Sequence, residues 1–536
     1  TDTIVRLSES GPWGRAWFGE SRLQLHWMST DSASAIEAPT VKVLDAFTSG
    51  GAQQAGGRRA TEVEWATNVD WARNRHAVRM GALVEGGWYR GDSLTNYLGT
   101  FTFGSLADYE AGRPSTFTKR TGDPLVEFSH WQAGVYIQDD WRARKNLTLS
   151  AGVRHELQTH LDDRWNLAPR AGFAWSPFKN GRTSVRGGGG VFYDWLDAQT
   201  YEQTLRVDGE HQQDLIVRNP GYPDPLGGGA AQEVLPASRY QLAHGLVMPQ
   251  RAMINLGVSQ QLTPAMTVNL NYNHTEGYDR FRGRNINAPL PDGTRPDPAL
   301  GNITQVESTA RLRGDSLNVG FSLNVPQRRT FLFANYAWIR QYNDADGPFS
   351  LPADNYRLAA EWGRAMGAPR HVASAVFNVS LPKNIRLGLT TTLQDGLAYN
   401  ITTGQDDNGD TVFNDRPAGV RRNSAVGKAS WDVGGRLTYT FGFGERPATT
   451  AGGPAGPTMI VQRVGGAGDS GGLLGALGGG GAENKRIRIE LFAAAQNMLN
   501  HVNPIGYSGV MTSPFFLQPT AAMPGRRIDL GVRLGF

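Results

Sequence analysis

The chain has 536 residues, 67 of them glycine, with 10% aromatic and 19% charged side chains and a net charge of +4 from 53 basic and 49 acidic groups. So small and scattered a basic excess excludes an electrostatic footprint for nucleic acid, and the absence of cysteine excludes disulfides, thiolate metal sites and thiol catalysis. No apolar run of about eighteen residues exists, so no transmembrane helix is predicted; abundant glycine and aromatics with few charges instead suit many strands, tight turns and aromatic girdles.

Taken in chain order, apolar and polar side chains alternate in windows of about ten residues, the length a tilted strand needs to cross a bilayer. Trp17, Ser21, Leu23, Leu25 and Trp27 alternate with Arg22, Gln24 and His26. Val63, Trp65, Val69 and Trp71 alternate with Glu62, Glu64, Asn68 and Asp70, and after a turn at 72–74 come Val78, Met80, Ala82, Val84 and Trp88. Leu147, Leu149, Ala151, Val153 and Leu157 oppose Thr148, Ser150, Gly152, Arg154 and Glu156, and Asn180-Gly181 marks a hairpin. Further on, Met266, Val268, Leu270 and Tyr272 oppose Thr267, Asn269, Asn271 and Asn273. The last stretch places Ile528, Leu530, Val532, Leu534 and Phe536 on one face and Arg527, Asp529, Gly531, Arg533 and Gly535 on the other. Successive strand side chains point to opposite faces. In a soluble sandwich the apolar face turns inward; in a membrane barrel it turns outward into lipid, with the polar face lining the lumen.

The connections choose between these. Turns near 72, 144, 180, 263, 326 and 383 are short, whereas the loops 91–126, 194–248, 281–313, 344–368, 402–427 and 500–525 are long. Short turns on one side and long loops on the other are the asymmetry of an outer-membrane barrel, the short side being periplasmic. An all-β, transmembrane antiparallel β-barrel of the outer membrane is therefore expected, surrounded by outer-membrane lipid. Keeping every short turn periplasmic assigns the β-like pieces 41–47, 98–103 and 303–310 to extracellular extensions and leaves about seventeen strands. An odd number cannot close an antiparallel barrel, so at least one further strand is expected outside these residues. The Gly-rich stretch 445–484 reads as a flexible insert on the periplasmic side. A leader upstream of Thr1 is expected to have been removed by processing or truncation.

Two stretches carry candidate sites. In Asp406-Asp407-Asn408-Gly409-Asp410-Thr411-Val412-Phe413-Asn414-Asp415, oxygen-bearing side chains recur as in a calcium loop, with Asp406, Asn408, Asp410, Asn414 and Asp415 as candidate ligands. Thr411 stands where such a loop needs glycine and Pro417 where it needs a bidentate Glu, so a solvated acidic turn or a substrate contact competes with calcium. In the terminal strand, Ile528, Leu530, Val532, Leu534 and Phe536 read as the signal recognised by the barrel-assembly machinery, against the plainer reading of a last strand closing a sheet. Arg90-Gly91-Asp92 and Arg313-Gly314-Asp315 match an adhesion tripeptide but suit ordinary turn chemistry. The run Gly187 to Gly190 lacks the Lys-Ser/Thr of a phosphate loop. With no nucleophile elbow and no His-Glu-x-x-His, no enzyme is expected.

Several segments resemble TonB-dependent outer-membrane receptors of the Oar-like group. They are Tyr136-Ile137-Gln138-Asp139-Asp140-Trp141 with Asn146-Leu147-Thr148-Leu149, Ala168-Pro169-Arg170-Ala171-Gly172-Phe173, Arg186 to Asp194, Asn408-Gly409-Asp410 with Asn414-Asp415-Arg416-Pro417, Gln496 to His501 and the terminal Arg-Leu-Gly-Phe. The resemblance implies a 22-stranded barrel with a plugged lumen, of which about seventeen strands stand here. The remaining strands and a plug that contacts TonB would come from another chain, from sequence outside these residues, or have been lost. Energised uptake of a scarce or bulky ligand is what it implies, the alternative being a non-transporting Oar-like surface or scaffold protein in adhesion or assembly. Trp195, Tyr201, Tyr222, Tyr240, Phe349 and Phe515 are the loop aromatics available to grip a ligand.

Overall fold

Where the sequence places Asn and Gly between alternating stretches, the chain reverses. Asn74 turns at φ 55°, Lys383 and Asn384 at 62° and 58°, and Gly181 at 65°, values that Asn and Gly tolerate better than other residues. The computed structural model describes residues 1–228, 231–445 and 485–535. The expected insert 445–484, apart from Glu445, and the terminal Phe536 lie outside the described residues.

Between those turns run seventeen long strands. They are β1 (Asp2–Pro12), β2 (Trp17–Ser32), β3 (Gln54–Arg73), β4 (His76–Gly91), β5 (Val126–Arg144), β6 (Leu147–Gln158), β7 (Asn166–Trp175) and β8 (Thr183–Tyr193). There follow β9 (Gln250–Thr263), β10 (Met266–Asn285), β11 (Ile303–Val325), β12 (Thr330–Asn343) and β13 (His371–Leu381). The wall ends with β14 (Ile385–Gln394), β15 (Ser430–Glu445), β16 (Lys485–Gln496) and β17 (Arg527–Gly535). Each pairs antiparallel with its neighbour in the chain. Among the described residues, β1 and β17 are each paired on one side only.

Register carries the alternation across the sheet. Val258, Leu270, Val319 and Tyr336 form one cross-strand row, and Leu270, Val319 and Tyr336 are exposed. One residue along, Asn269, Gly320 and Asn335 form a polar row on the opposite face. The exposed apolar face turns to lipid and the Asn-rich face to the lumen.

Conventional hydrophobic cores occur instead on the long-loop side. Phe47–Gly50, Thr40–Val43, Thr100–Phe103, Thr116–Gly122, Gln212–Arg218 and Glu233–Val234 join three loops into a six-stranded sheet, packed around Val43, Phe101, Phe103, Phe117 and Val217. The pieces 41–47 and 98–103 are thus loop strands rather than spans, as the strand count required, and 303–310 is the upward extension of β11. A second cluster, Leu161, Leu196, Leu246 and Met248, seats the helix Ala198–Arg206 against the wall. Asp197 caps that helix by accepting from Thr200 N at 2.7 Å, and buried Arg206 donates to Ser93 O and Pro124 O.

Lipid exposure of the outer face sets an expected cost. Leu256→Arg, at the middle of β9, should lower stability by about 2–4 kcal/mol, whereas Asn255→Asp on its lumen side should cost under about 0.5 kcal/mol. Urea unfolding of the protein in phospholipid vesicles measures both.

Candidate functional site

The Asp406–Asp415 turn is coiled by its own side chains. Gly409 at φ 73° and Thr411 at φ 70° reverse the chain, and one side-chain oxygen each of Asp406, Asn408, Asp410 and Asp415 then meets a nearby backbone N–H. Asp410 N donates to Asn408 Oδ1 at 2.9 Å, Thr411 N to Asp406 Oδ2 at 3.0 Å, Val412 N to Asp410 Oδ1 at 2.9 Å and Asp407 N to Asp415 Oδ2 at 2.9 Å. Asp and Asn favour such local side-chain bonds over regular structure.

This turn is a hub rather than a tip. Asn355 Nδ2 donates to Asp410 Oδ2 at 3.1 Å, and Asn302 Nδ2 to Asp410 O at 2.8 Å. Asn408 Nδ2 donates to Ala353 O at 2.9 Å and Asn414 Nδ2 to Leu351 O at 3.0 Å. Arg218, from the loop after β8, donates to Gly409 O and lies 3.6 Å from Asp406. Arg416 clamps Glu361 through two bonds of 2.6 and 2.9 Å, and buried Arg422 donates to Asn343 and pairs with Asp346. Thr402 N donates to Gly509 O at 2.9 Å, and that last loop reaches onward, Ser508 to Asp45 and Thr512 to Gly104. One loop thereby ties the long loops into a single extracellular cap.

Burial governs its electrostatics. Asp410 is fully buried, which pushes its carboxyl up to about 7, and burial pushes Asp415 up to about 6. Asp406 is also raised by burial, against hydrogen bonds from backbone N–H groups and the nearby Arg218. Arg295, facing the same carboxylates, is lowered by burial and by Arg218, and Glu233 lies behind Arg218 at 3.4 Å.

The five residues expected as calcium ligands do come together in one turn, with most of their oxygens engaged by N–H donors. Asp406 Oδ1 and Asn414 Oδ1 are buried without a donor. Among the described residues no three His, Cys, Asp or Glu side chains form a metal-holding group. The other candidate stretch is placed on β17, where Ile528, Leu530, Val532 and Leu534 all face outward and are exposed. The loop aromatics divide. Tyr201 stacks on His160 at 3.6 Å, Tyr222 packs on Phe101 and Phe103, and Tyr240 on Phe349, while Phe515 is exposed and Trp195 lines a cavity in the lumen wall. Arg218, Asn302, Asn355 and Arg422 carry no local motif; only the Asn-Asp-Arg-Pro run gave a signal for Arg416.

A raised carboxyl favours the folded cap at pH values below its ordinary 3.8 and withdraws that support as pH rises through about 6 to 7. Amides of 402–423 should therefore be protected at pH 5.5 by about tenfold more than at pH 8 once intrinsic exchange rates are corrected. Asp410→Asn should flatten the difference. Equal protection of the unaltered cap at both pH values would refute the assignment.

Residues 19–166 and 161–503 match the family described as outer membrane beta barrel domain. No curated protein matches the chain. Among solved structures, the outer membrane transporter YddB from Escherichia coli aligns with a TM-score of 0.61 at 12% identity, over 99% of this chain and 62% of that one. A variant of the ferric enterobactin receptor PfeA from Pseudomonas aeruginosa, in complex with enterobactin, aligns with a TM-score of 0.59 at 12% identity, over 99% and 62%. The siderophore receptor PirA from Acinetobacter baumannii gives 0.56 at 12%, over 100% and 62%. The chain thus spans about three fifths of the length of these proteins, and at such identity the likeness is one of fold. Lipid-facing rows, an Asn-lined lumen, a cap on the long-loop side and a family match over most of the length lead to one conclusion: the chain belongs to the outer membrane beta barrel domain family and resides in the outer membrane.

Proposed function

We propose that the chain forms the barrel wall of a TonB-dependent receptor of the Oar-like group that takes up a scarce or bulky ligand across the outer membrane. The observation that carries this reading is the cap. A barrel with merely structural work needs its loops only to be soluble, whereas here distant loops are laced through one buried acidic turn above a polar lumen. The fold it shares with a transporter and with siderophore receptors supports the same reading. In this proposal a plug gates the lumen, TonB supplies energy through that plug, and the barrel-assembly machinery inserts the wall by reading the Ile528 to Phe536 strand.

A second reading for the acidic turn is calcium, favoured by the two buried oxygens without donors, Asp406 Oδ1 and Asn414 Oδ1. The ion would enter between them, with Asn408, Asp410 and Asp415 giving up backbone bonds to join it.

The runner-up, a non-transporting surface protein or scaffold acting in adhesion or assembly, needs no TonB. Photo-crosslinking of the full-length protein in living cells should give an adduct with TonB, and its absence under conditions where a known receptor crosslinks would favour the scaffold. For the turn, micromolar to millimolar calcium should raise the protection of 402–423 in hydrogen exchange. Asp406→Asn should abolish that gain, and no response of the unaltered protein would remove calcium.

A further inference from the structure

A cavity of about 390 Å³ opens on the lumen wall where β2, β3, β4 and β5 meet the loop after β8. The register sets its chemistry. Gln24, Glu64, Glu85, Gln132 and Gln158 form one cross-strand row, so two carboxylates stand directly opposite each other, an arrangement that is unfavourable by itself. Glu64 is offset by Arg22. Glu85 receives only the neutral amide of Gln132 and has no salt bridge among the described residues. In the adjacent row Glu62 accepts from Tyr89 Oη at 3.1 Å and meets His26 at 3.0 Å, while Gly87 contributes no side chain between Glu62 and His130.

His130 supplies an independent observation. It lines the cavity and is 5% exposed, and its Nε2 lies 2.9 Å from Leu196 O. Gln158 Nε2 lies equally near, at 2.9 Å, so Nε2 stands between a carbonyl acceptor and an amide donor, and either ring tautomer satisfies one of them. Its Nδ1 is buried and has no partner. The cavity therefore offers the uncompensated carboxylate of Glu85, the neighbouring Glu62 and the aromatic walls of Tyr89 and Trp195, beside a buried ring nitrogen that has no partner. Arg58 reaches one side of Tyr89, at 5.7 Å from the ring, but is held to Glu202 at 3.2 Å.

We propose that this cavity binds an organic cation, a primary ammonium group seated against Glu85 and Glu62 with its flank on Trp195 and Tyr89. The cation is either a free small-molecule amine in the lumen or a lysine of a protein segment that occupies it. The proposal rests on the lumen face of the barrel and not on import, so failure of TonB crosslinking leaves it standing.

Calorimetric titration of the detergent-solubilised full-length protein with spermidine tests the free source. Binding should weaken at least tenfold in Glu85→Gln and stay unchanged in Asp432→Asn, another lumen-facing carboxylate. Glu85→Gln also relieves the clash with Glu64, so without spermidine it should unfold at higher urea than the parent, which separates a binding defect from a folding one. If a lysine already fills the cavity, spermidine is shut out. Carbodiimide treatment of native membranes should then join Glu85 or Glu62 to that lysine, identified by mass spectrometry. Spermidine binding that Glu85→Gln leaves intact overturns the proposal, as does the lack of both spermidine binding and crosslink.

Discussion

Hydrocarbon offers no partner for a peptide group, so every N–H and C=O in the wall must find one on a neighbouring strand. The seventeen strands meet that demand by pairing each with the next in sequence. Everything else follows from it. Sequential antiparallel pairing forces reversals at both rims, and the alternation of side chains then sorts Val258, Leu270 and Val319 to one face and Asn269, Asn271 and Asn318 to the other. The same demand leaves β1 and β17, each with one unpaired edge among the described residues, as the places where the sheet is ready to continue.

The usual relation between burial and hydrophobicity is reversed from one part of the molecule to the next. In the wall the large apolar side chains are the exposed ones, such as Ile254, Leu437 and Leu530, because lipid rather than water surrounds them. In the cap, which water surrounds, Phe101, Phe103, Phe117 and Val217 retreat into a core. Charged groups behave in the same two ways. Asp410 in the cap is fully buried among amide donors, whereas Glu85 stands on the lumen wall beside another carboxylate.

Much of the wall was legible in the sequence because a period of two is a local property and each strand repeats it. Turn residues such as Asn74 and Lys383-Asn384 gave the reversals, and counting from them gave the strand number and the loop-side places of 41–47, 98–103 and 303–310. The cap was far less legible. Its sheet pairs Thr40–Val43 with Thr100–Phe103 and Thr116–Gly122 with Gln212–Arg218, contacts between loops far apart in the chain that no local pattern encodes. The acidic turn was visible as a run of oxygens. Its burial was not, because the groups that bury it, Asn302, Asn355 and Arg218, are single polar residues within irregular loops.

The lacing of the cap bears on how the cell surface is recognised from outside. A free peptide of residues 404–416 would display Asp406, Asp410 and Asp415 to water, while in the folded cap these carboxylates are turned inward and Gly409 O is covered by Arg218. Antibodies raised against that peptide would meet a surface the protein does not present. Binders that recognise intact cells must instead read a composite of several loops, and a loop transplanted without its distant partners would lose the shape they recognise.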